Sequence, residues 1–151
     1  GHVVQRFDLT SRSLTVTAEV HAGEVPMPAM IGWHPWFKRR LERGGNATLS
    51  VLAESAYELD AQMIPTGEFV QVPPQPWNDC LVDMLLPPVI DWPNALTLSI
   101  SSTFDHWVVF TEPTHALCVE PQGGPPNQIN SNPTIVEPGH PLVGSMTLDW
   151  G

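Results

Sequence analysis

Positive charge is scarce in this 151-residue sequence and is absent after residue 43. All six basic residues lie in the first 43 positions, whereas the remaining 108 carry twelve aspartates and glutamates and no lysine or arginine. The formal net charge is −10 at pH 7. Because nucleic acids and anionic membranes repel an acidic surface, neither is expected as a partner. The one basic cluster, Lys38–Arg43, is more typical of a solvated loop than of a phosphate-binding patch.

Several other features are missing. No apolar run approaches the ~20 residues of a membrane span, and the N-terminus does not resemble a signal peptide. The only cysteines, Cys80 and Cys118, lie in apolar sequence, which predicts reduced core thiols in a cytoplasmic protein, with a single disulfide as the alternative. No Cys-x-x-Cys pair, metal-ligand spacing or nucleotide-binding motif is present, so neither a metal nor a cofactor is predicted.

Proline, by contrast, is abundant: the 17 prolines interrupt the chain too often for long helices. Between them lie short segments in which apolar and polar residues alternate, the period-two pattern of a strand with one solvated face. The predicted strands are 3–8, 13–21, 47–53, 68–72, 95–101, 107–111, 116–120 and 143–150. The only candidate helix, a weak one, is 79–86. Together these predict one all-β domain over residues 1–151, an antiparallel β-sandwich.

The segment MPAMIGWHPWF, residues 27–37, is unlike ordinary strand sequence. It places His34 between Trp33 and Trp36, and Pro35 restricts the histidine to extended geometry. Aromatic rings beside an imidazole could stack on the apolar faces of a sugar. The alternative is a histidine packed into an aromatic cluster with both nitrogens hydrogen-bonded.

The segment ALCVEPQGGPPN, residues 116–127, places Glu120 at the end of an apolar strand, followed by a Pro/Gly loop that Gln122 opens. A carboxylate there is costly unless it is paired, and desolvation would raise its pKa toward a value that suits a general base. The alternative is a strand-end glutamate that points to solvent. His34 and Glu120 together would supply acid–base chemistry without a cofactor.

Five segments in this order resemble the C-terminal half of aldose 1-epimerases, the galactose mutarotase family, and above all its bacterial aldose-epimerase-like members. They are MPAMIGWHPWF, AQMIPTGEFVQVP, PWNDCL, CVEPQGGPPN and EPGHPL, and the resemblance runs from about Gln5 to Trp150. It implies a galactose mutarotase-like supersandwich, of which this chain would be a part. It also implies a cofactor-independent enzyme that interconverts sugar anomers.

The resemblance implies roles for individual residues. His34 matches the histidine that protonates the sugar's ring oxygen, and Glu120 matches the glutamate that takes the proton of the anomeric hydroxyl. Trp33, Trp36 and Gln122 are further candidates for sugar contacts. Where the family has a sugar-binding aspartate, this sequence has Asn78, with Asp79 next to it, and a one-residue shift in register leaves both as candidates.

The sequence also departs from the family in length, since family members are roughly twice as long and their earlier half adds a histidine and an arginine to the site. This implies a partner for the exposed sheet, either a missing N-terminal half or a second copy of the chain. Two alternatives to a mutarotase stay open. One is a non-catalytic carbohydrate-binding module, and the other is a hexose-6-phosphate epimerase-like enzyme in which Lys38–Arg43 binds the phosphate.

Overall fold

A computed structural model describes all 151 residues and contains twelve β-strands and one short helix. The strands are β1 (His2–Leu9), β2 (Ser13–His21), β3 (Met27–Ala29), β4 (Trp36–Lys38), β5 (Thr48–Leu59), β6 (Pro65–Val70), β7 (Asn78–Trp92), β8 (Leu96–Ser102), β9 (His106–Phe110), β10 (Ala116–Gln122), β11 (Thr134–Val136) and β12 (Leu142–Trp150), and the helix is α1 (Gln128–Ser131). No helix has the length and hydrophobicity that crossing a membrane requires.

Ten strands form one antiparallel sheet. Its order is β1-β2-β12-β8-β7-β9-β10-β4, and β5 pairs with both β6 and β7 off this path. The remaining two strands, β3 and β11, pair with each other in a small second sheet. The sheet is curled, and the all-β, antiparallel fold that the sequence predicts is confirmed.

All eight predicted strands are present, although β1 and β6 bury none of their residues. In β2 the residues Val16, Ala18 and Val20 are buried while the residues between them are more exposed, as period-two alternation predicts. The cysteines are free and buried, so the predicted core thiols are also observed and the alternative disulfide is absent.

The predicted helix over 79–86 is wrong, because this segment belongs to β7, the longest strand, which continues to Trp92. Strand β7 pairs with β5 on one side and with β8 and β9 on the other, and its backbone hydrogen bonds are therefore made to neighbouring strands. Asp83 has a φ of 54°, which a regular right-handed helix does not allow. Sheet pairing on both edges has overridden the weak local helical preference.

The largest core cluster lies on one face of the central strands and includes Ile90, Ile100, Leu117, Val119 and Trp107. Two smaller clusters flank it, one where β2 meets β3 and β11, and one where β5 meets β7 and β9. Because side chains alternate along a strand, the residues between these core positions point to the opposite face of the sheet.

Candidate functional site

The face opposite the core carries Glu120. Glu120 on β10 lies opposite Val108 on β9, and Val108 lies opposite Cys80 on β7. These three side chains therefore lie in one row on the same face of the sheet. The residues on either side of Glu120 are Val119, which is fully buried in the core, and Pro121. Glu120 therefore projects away from the main core. It is nevertheless buried, because other side chains and a loop cover it.

The covering loop, residues 30–35 between β3 and β4, runs beside the end of β10 and hydrogen-bonds to it. The Gly123 N–H donates to the Ile31 carbonyl at 2.8 Å, and the Trp33 N–H donates to the Pro121 carbonyl at 3.1 Å. Farther along, β4 pairs with β10. The WHPWF segment and the CVEPQGG segment, 84 residues apart at His34 and Cys118, are thus held side by side.

Gly32 makes this close approach feasible. It forms an isolated bridge with Gln122, and a Cβ built on Gly32 would lie 3.1 Å from Gln122 Cγ. A Cβ at position 32 would therefore require the Gln122 side chain to shift by a few tenths of an ångström. Gly32 thus allows the loop to approach Gln122 closely, two residues along the chain from His34.

His34 and Glu120 form the central contact of the site. Their Nδ1 and Oε1 atoms are 3.1 Å apart, with 61% of the histidine side chain and 6% of the glutamate side chain exposed. A buried carboxylate thus has an imidazole partner whose ring reaches solvent. Sequence reasoning named these two residues without being able to place them in contact.

Burial raises the pKa of Glu120, and it outweighs the opposing effects of the charge on His34 and of hydrogen bonds from Cys118 and Gln122. Burial together with the neighbouring Glu120 raises the pKa of Cys118 to about 12. The Cys118 Sγ lies 3.6 Å from His34 Nδ1. Gln122, a candidate sugar contact from the sequence, therefore lies against the carboxylate of Glu120.

The two tryptophans beside His34 point in different directions. Trp36 is half exposed, and its ring lies roughly parallel to those of His34, at a centroid distance of 5.7 Å and an angle of 20°, and His115, at 6.3 Å and 8°. Trp33 packs against the core clusters and against Phe104. Only Trp36 therefore offers an open aromatic surface next to the His34–Glu120 pair.

Pairing distinguishes Asn78 from Asp79. Asn78 pairs with Phe110, which pairs with Cys118, so Asn78 shares the face of Glu120. Asp79 pairs with the core residue Val109 and points to the opposite face, where its carboxylate accepts the Asn78 N–H at 3.0 Å. Of these two candidates for sugar contact, the structure brings only Asn78 to the same side as the catalytic candidates.

Two residues of the basic cluster Lys38–Arg43 have different surroundings. Lys38 follows Trp36 by two residues on β4 and is exposed on the site's face. The guanidinium of Arg39 instead donates to the backbone carbonyls of Thr111 and Pro113. Lys38 is therefore the residue of this cluster that has an exposed side chain and also lies close to Trp36 along the strand.

Sequence reasoning missed two features of this face. Tyr57, His106 and Asp105 form a chain in which Tyr57 Oη lies 3.2 Å from His106 Nε2, and His106 Nδ1 lies 2.6 Å from Asp105 Oδ1. The second feature is Cys118. One ligating atom each from His34, Cys118 and Glu120 lie within 4.8 Å of one another, so the fold assembles potential metal ligands that the linear spacing did not indicate. The two-residue interval between Cys118 and Glu120 on a strand was the available signal.

Comparison with known proteins places this arrangement in a family. The aldose 1-epimerase family profile matches residues 2–121. A search of curated protein sequences found no match.

Solved structures with the same fold, that of galactose mutarotase-like proteins, include the following three. A galactose mutarotase-like protein from Clostridium acetobutylicum has a TM-score of 0.84 at 15% identity, covering 97% of this chain and 55% of its own. A GalM/aldose epimerase homologue from C. elegans has a TM-score of 0.75 at 14% identity, covering 96% and 58%. A protein from Synechocystis sp. PCC 6803 has a TM-score of 0.74 at 24% identity, covering 99% and 54%. The chain thus spans between half and two thirds of the length of these structures.

Proposed function

Because the chain belongs to the aldose 1-epimerase family, we propose that it interconverts the anomers of a sugar by acid–base ring opening, without a cofactor. The observation that best supports this proposal is the 3.1 Å contact between the exposed imidazole of His34 and the buried carboxylate of Glu120. A general acid and a general base are thereby available side by side on an open face.

In the proposed reaction, Glu120 removes the proton of the anomeric hydroxyl while His34 protonates the ring oxygen. The hemiacetal C–O bond breaks and leaves an open-chain aldehyde. Rotation about the C1–C2 bond and closure on the other face, with both proton transfers reversed, give the other anomer. The raised pKa of Glu120 brings its basicity closer to the value that a base needs near neutral pH.

Other residues of the face would bind the sugar. The half-exposed Trp36 ring can stack on the apolar side of a pyranose, and Asn78 can donate to and accept from its hydroxyls. Gln122 lies against Glu120 and would fix the orientation of the carboxylate. We do not assign Asp79 or Trp33 to the sugar, because their side chains face the core.

Anomer interconversion followed by proton NMR tests the proposal. Freshly dissolved α-glucose and α-galactose are mixed with the chain, with its Glu120→Gln variant, or with buffer. We expect the chain to accelerate equilibration and the variant to lose at least ~100-fold of the catalysed rate, since glutamine cannot accept the proton. The variant keeps the shape of Glu120, and circular dichroism verifies its fold.

Equal rates in all three samples would refute catalysis by this chain with these sugars. Sugar binding without acceleration, seen as line broadening of the sugar signals, would instead support the carbohydrate-binding module. The same assay tests the second candidate function, which the exposed Lys38 on the site's face favours. If the substrate is a hexose 6-phosphate, it should equilibrate faster than the free hexose, and Lys38→Met should abolish the difference.

A further inference from the structure

The side chains of His34, Cys118 and Glu120 present one nitrogen, one sulfur and one oxygen donor to a common point. We propose that these three residues bind a divalent cation of the zinc type. The nitrogen, sulfur and oxygen atoms all lie within 4.8 Å of one another. This mixed donor set suits zinc, because Zn²⁺ accepts histidine nitrogen, cysteine sulfur and carboxylate oxygen as ligands.

Two of the three separations between the donors are close to the edges of a zinc tetrahedron. With Zn–N and Zn–O bonds of about 2.1 Å and a Zn–S bond of about 2.3 Å, tetrahedral edges are about 3.4 Å for N···O and about 3.6 Å for S···N. The observed separations are 3.1 Å for His34 Nδ1 to Glu120 Oε1 and 3.6 Å for Cys118 Sγ to His34 Nδ1. The third pair, Cys118 Sγ and the Glu120 carboxylate, lies within 4.8 Å, so a cation could enter if these two groups approached to an S···O edge of about 3.6 Å.

Rigid elements hold the donors. Cys118 and Glu120 are two residues apart on the same face of β10, which β9 and β4 flank, and both residues are buried. His34 is tied to the same strand through the loop hydrogen bond of Trp33. As the metal–sulfur bond forms, the Cys118 thiol releases its proton to solvent. Three protein ligands leave the fourth position of a tetrahedral zinc to water or to a small ligand, and His34 is the ligand whose side chain reaches solvent.

Binding of a cation would also affect the proposed reaction, and this consequence alone depends on the proposed function. The cation would occupy His34 Nδ1 and the Glu120 carboxylate, the groups that transfer protons. Zinc should therefore inhibit anomer interconversion, and a chelator should restore it.

Calorimetric titration with Zn²⁺ on the chain without an affinity tag tests the site directly. We expect one equivalent to bind, and Cys118→Ala to weaken binding at least ~100-fold, more than the loss usual for a residue outside the first coordination shell. The matched control is Cys80→Ala, which removes the other buried cysteine and should bind zinc as the unaltered chain does. In a parallel sample Co²⁺ should give a thiolate-to-metal charge-transfer band that Cys118→Ala lacks.

His34→Ala provides a second variant that does not disturb the core, because most of this side chain is exposed. It should also bind zinc at least ~100-fold more weakly. The proposal is overturned if the unaltered chain binds no zinc, or if both variants keep its affinity. Since neither measurement requires a sugar, failure of the metal site and failure of the mutarotase proposal are separate results.

Discussion

Two consecutive residues of β7, Asn78 and Asp79, point to opposite faces of the sheet. If the site's face binds sugar, Asn78→Ala should weaken sugar binding about 10-fold, the loss of one good hydrogen bond. Asp79→Ala should leave sugar affinity within about twofold, and lower the free energy of unfolding by about 1 kcal/mol because the Asn78 N–H loses its acceptor. NMR titration with sugar and urea denaturation measure the two effects, and the reverse pattern would contradict this assignment.

At the residue scale, the sequence alone identified His34 and Glu120 as the pair to study, because both stand in segments unlike ordinary strands. It could not choose between Asn78 and Asp79, since that choice depends on register with β9. Nor could it associate Cys118 with His34. That contact depends on pairing between segments distant in sequence, which no local pattern encodes.

At the scale of elements, β12 packs Gly144 directly beneath the ring of Phe104, which in turn contacts Trp33 of the covering loop. A Cβ on Gly144 would overlap three atoms of that ring. Gly144→Ala should therefore lower the free energy of unfolding by about 1–3 kcal/mol in urea denaturation. Gly45→Ala is the control, because its Cβ would meet Pro93 at an ordinary 3.4 Å and should change stability by less than ~0.5 kcal/mol.

If steric overlap causes the effect, Gly144→Ala should lower the free energy of unfolding by less in a Phe104→Ala background, and equal losses in both backgrounds would contradict the explanation.

The strands themselves were largely predictable from the sequence. Strands with one buried face, such as β2 and β12, show period two in their sequence. The three-residue strands β3, β4 and β11 are too short for any periodicity, and β7 was mistaken for a helix in the part where it turns through Asp83.

At the scale of the whole molecule, the expectation that the exposed sheet needs a partner comes from sequence length, and β1 gives it a physical basis. This strand pairs only with β2, so its other edge is unpaired. Along one of its faces Val3, Phe7 and Leu9 are 65%, 62% and 73% exposed. An unpaired edge with an apolar face is a template for association.

We therefore expect the chain to self-associate as its concentration rises, observed as an increasing mass in size-exclusion chromatography with light scattering. The double variant Phe7→Thr/Leu9→Thr should reduce this association, because it removes apolar surface worth about 25 cal/mol per Å² while threonine keeps the preference for strand. The matched control, Arg6→Thr/Asp8→Thr, alters the opposite face of β1 without changing net charge and should associate like the unaltered chain. A monomer at every concentration, or an equal effect of both double variants, would show that the apolar face of β1 does not drive association.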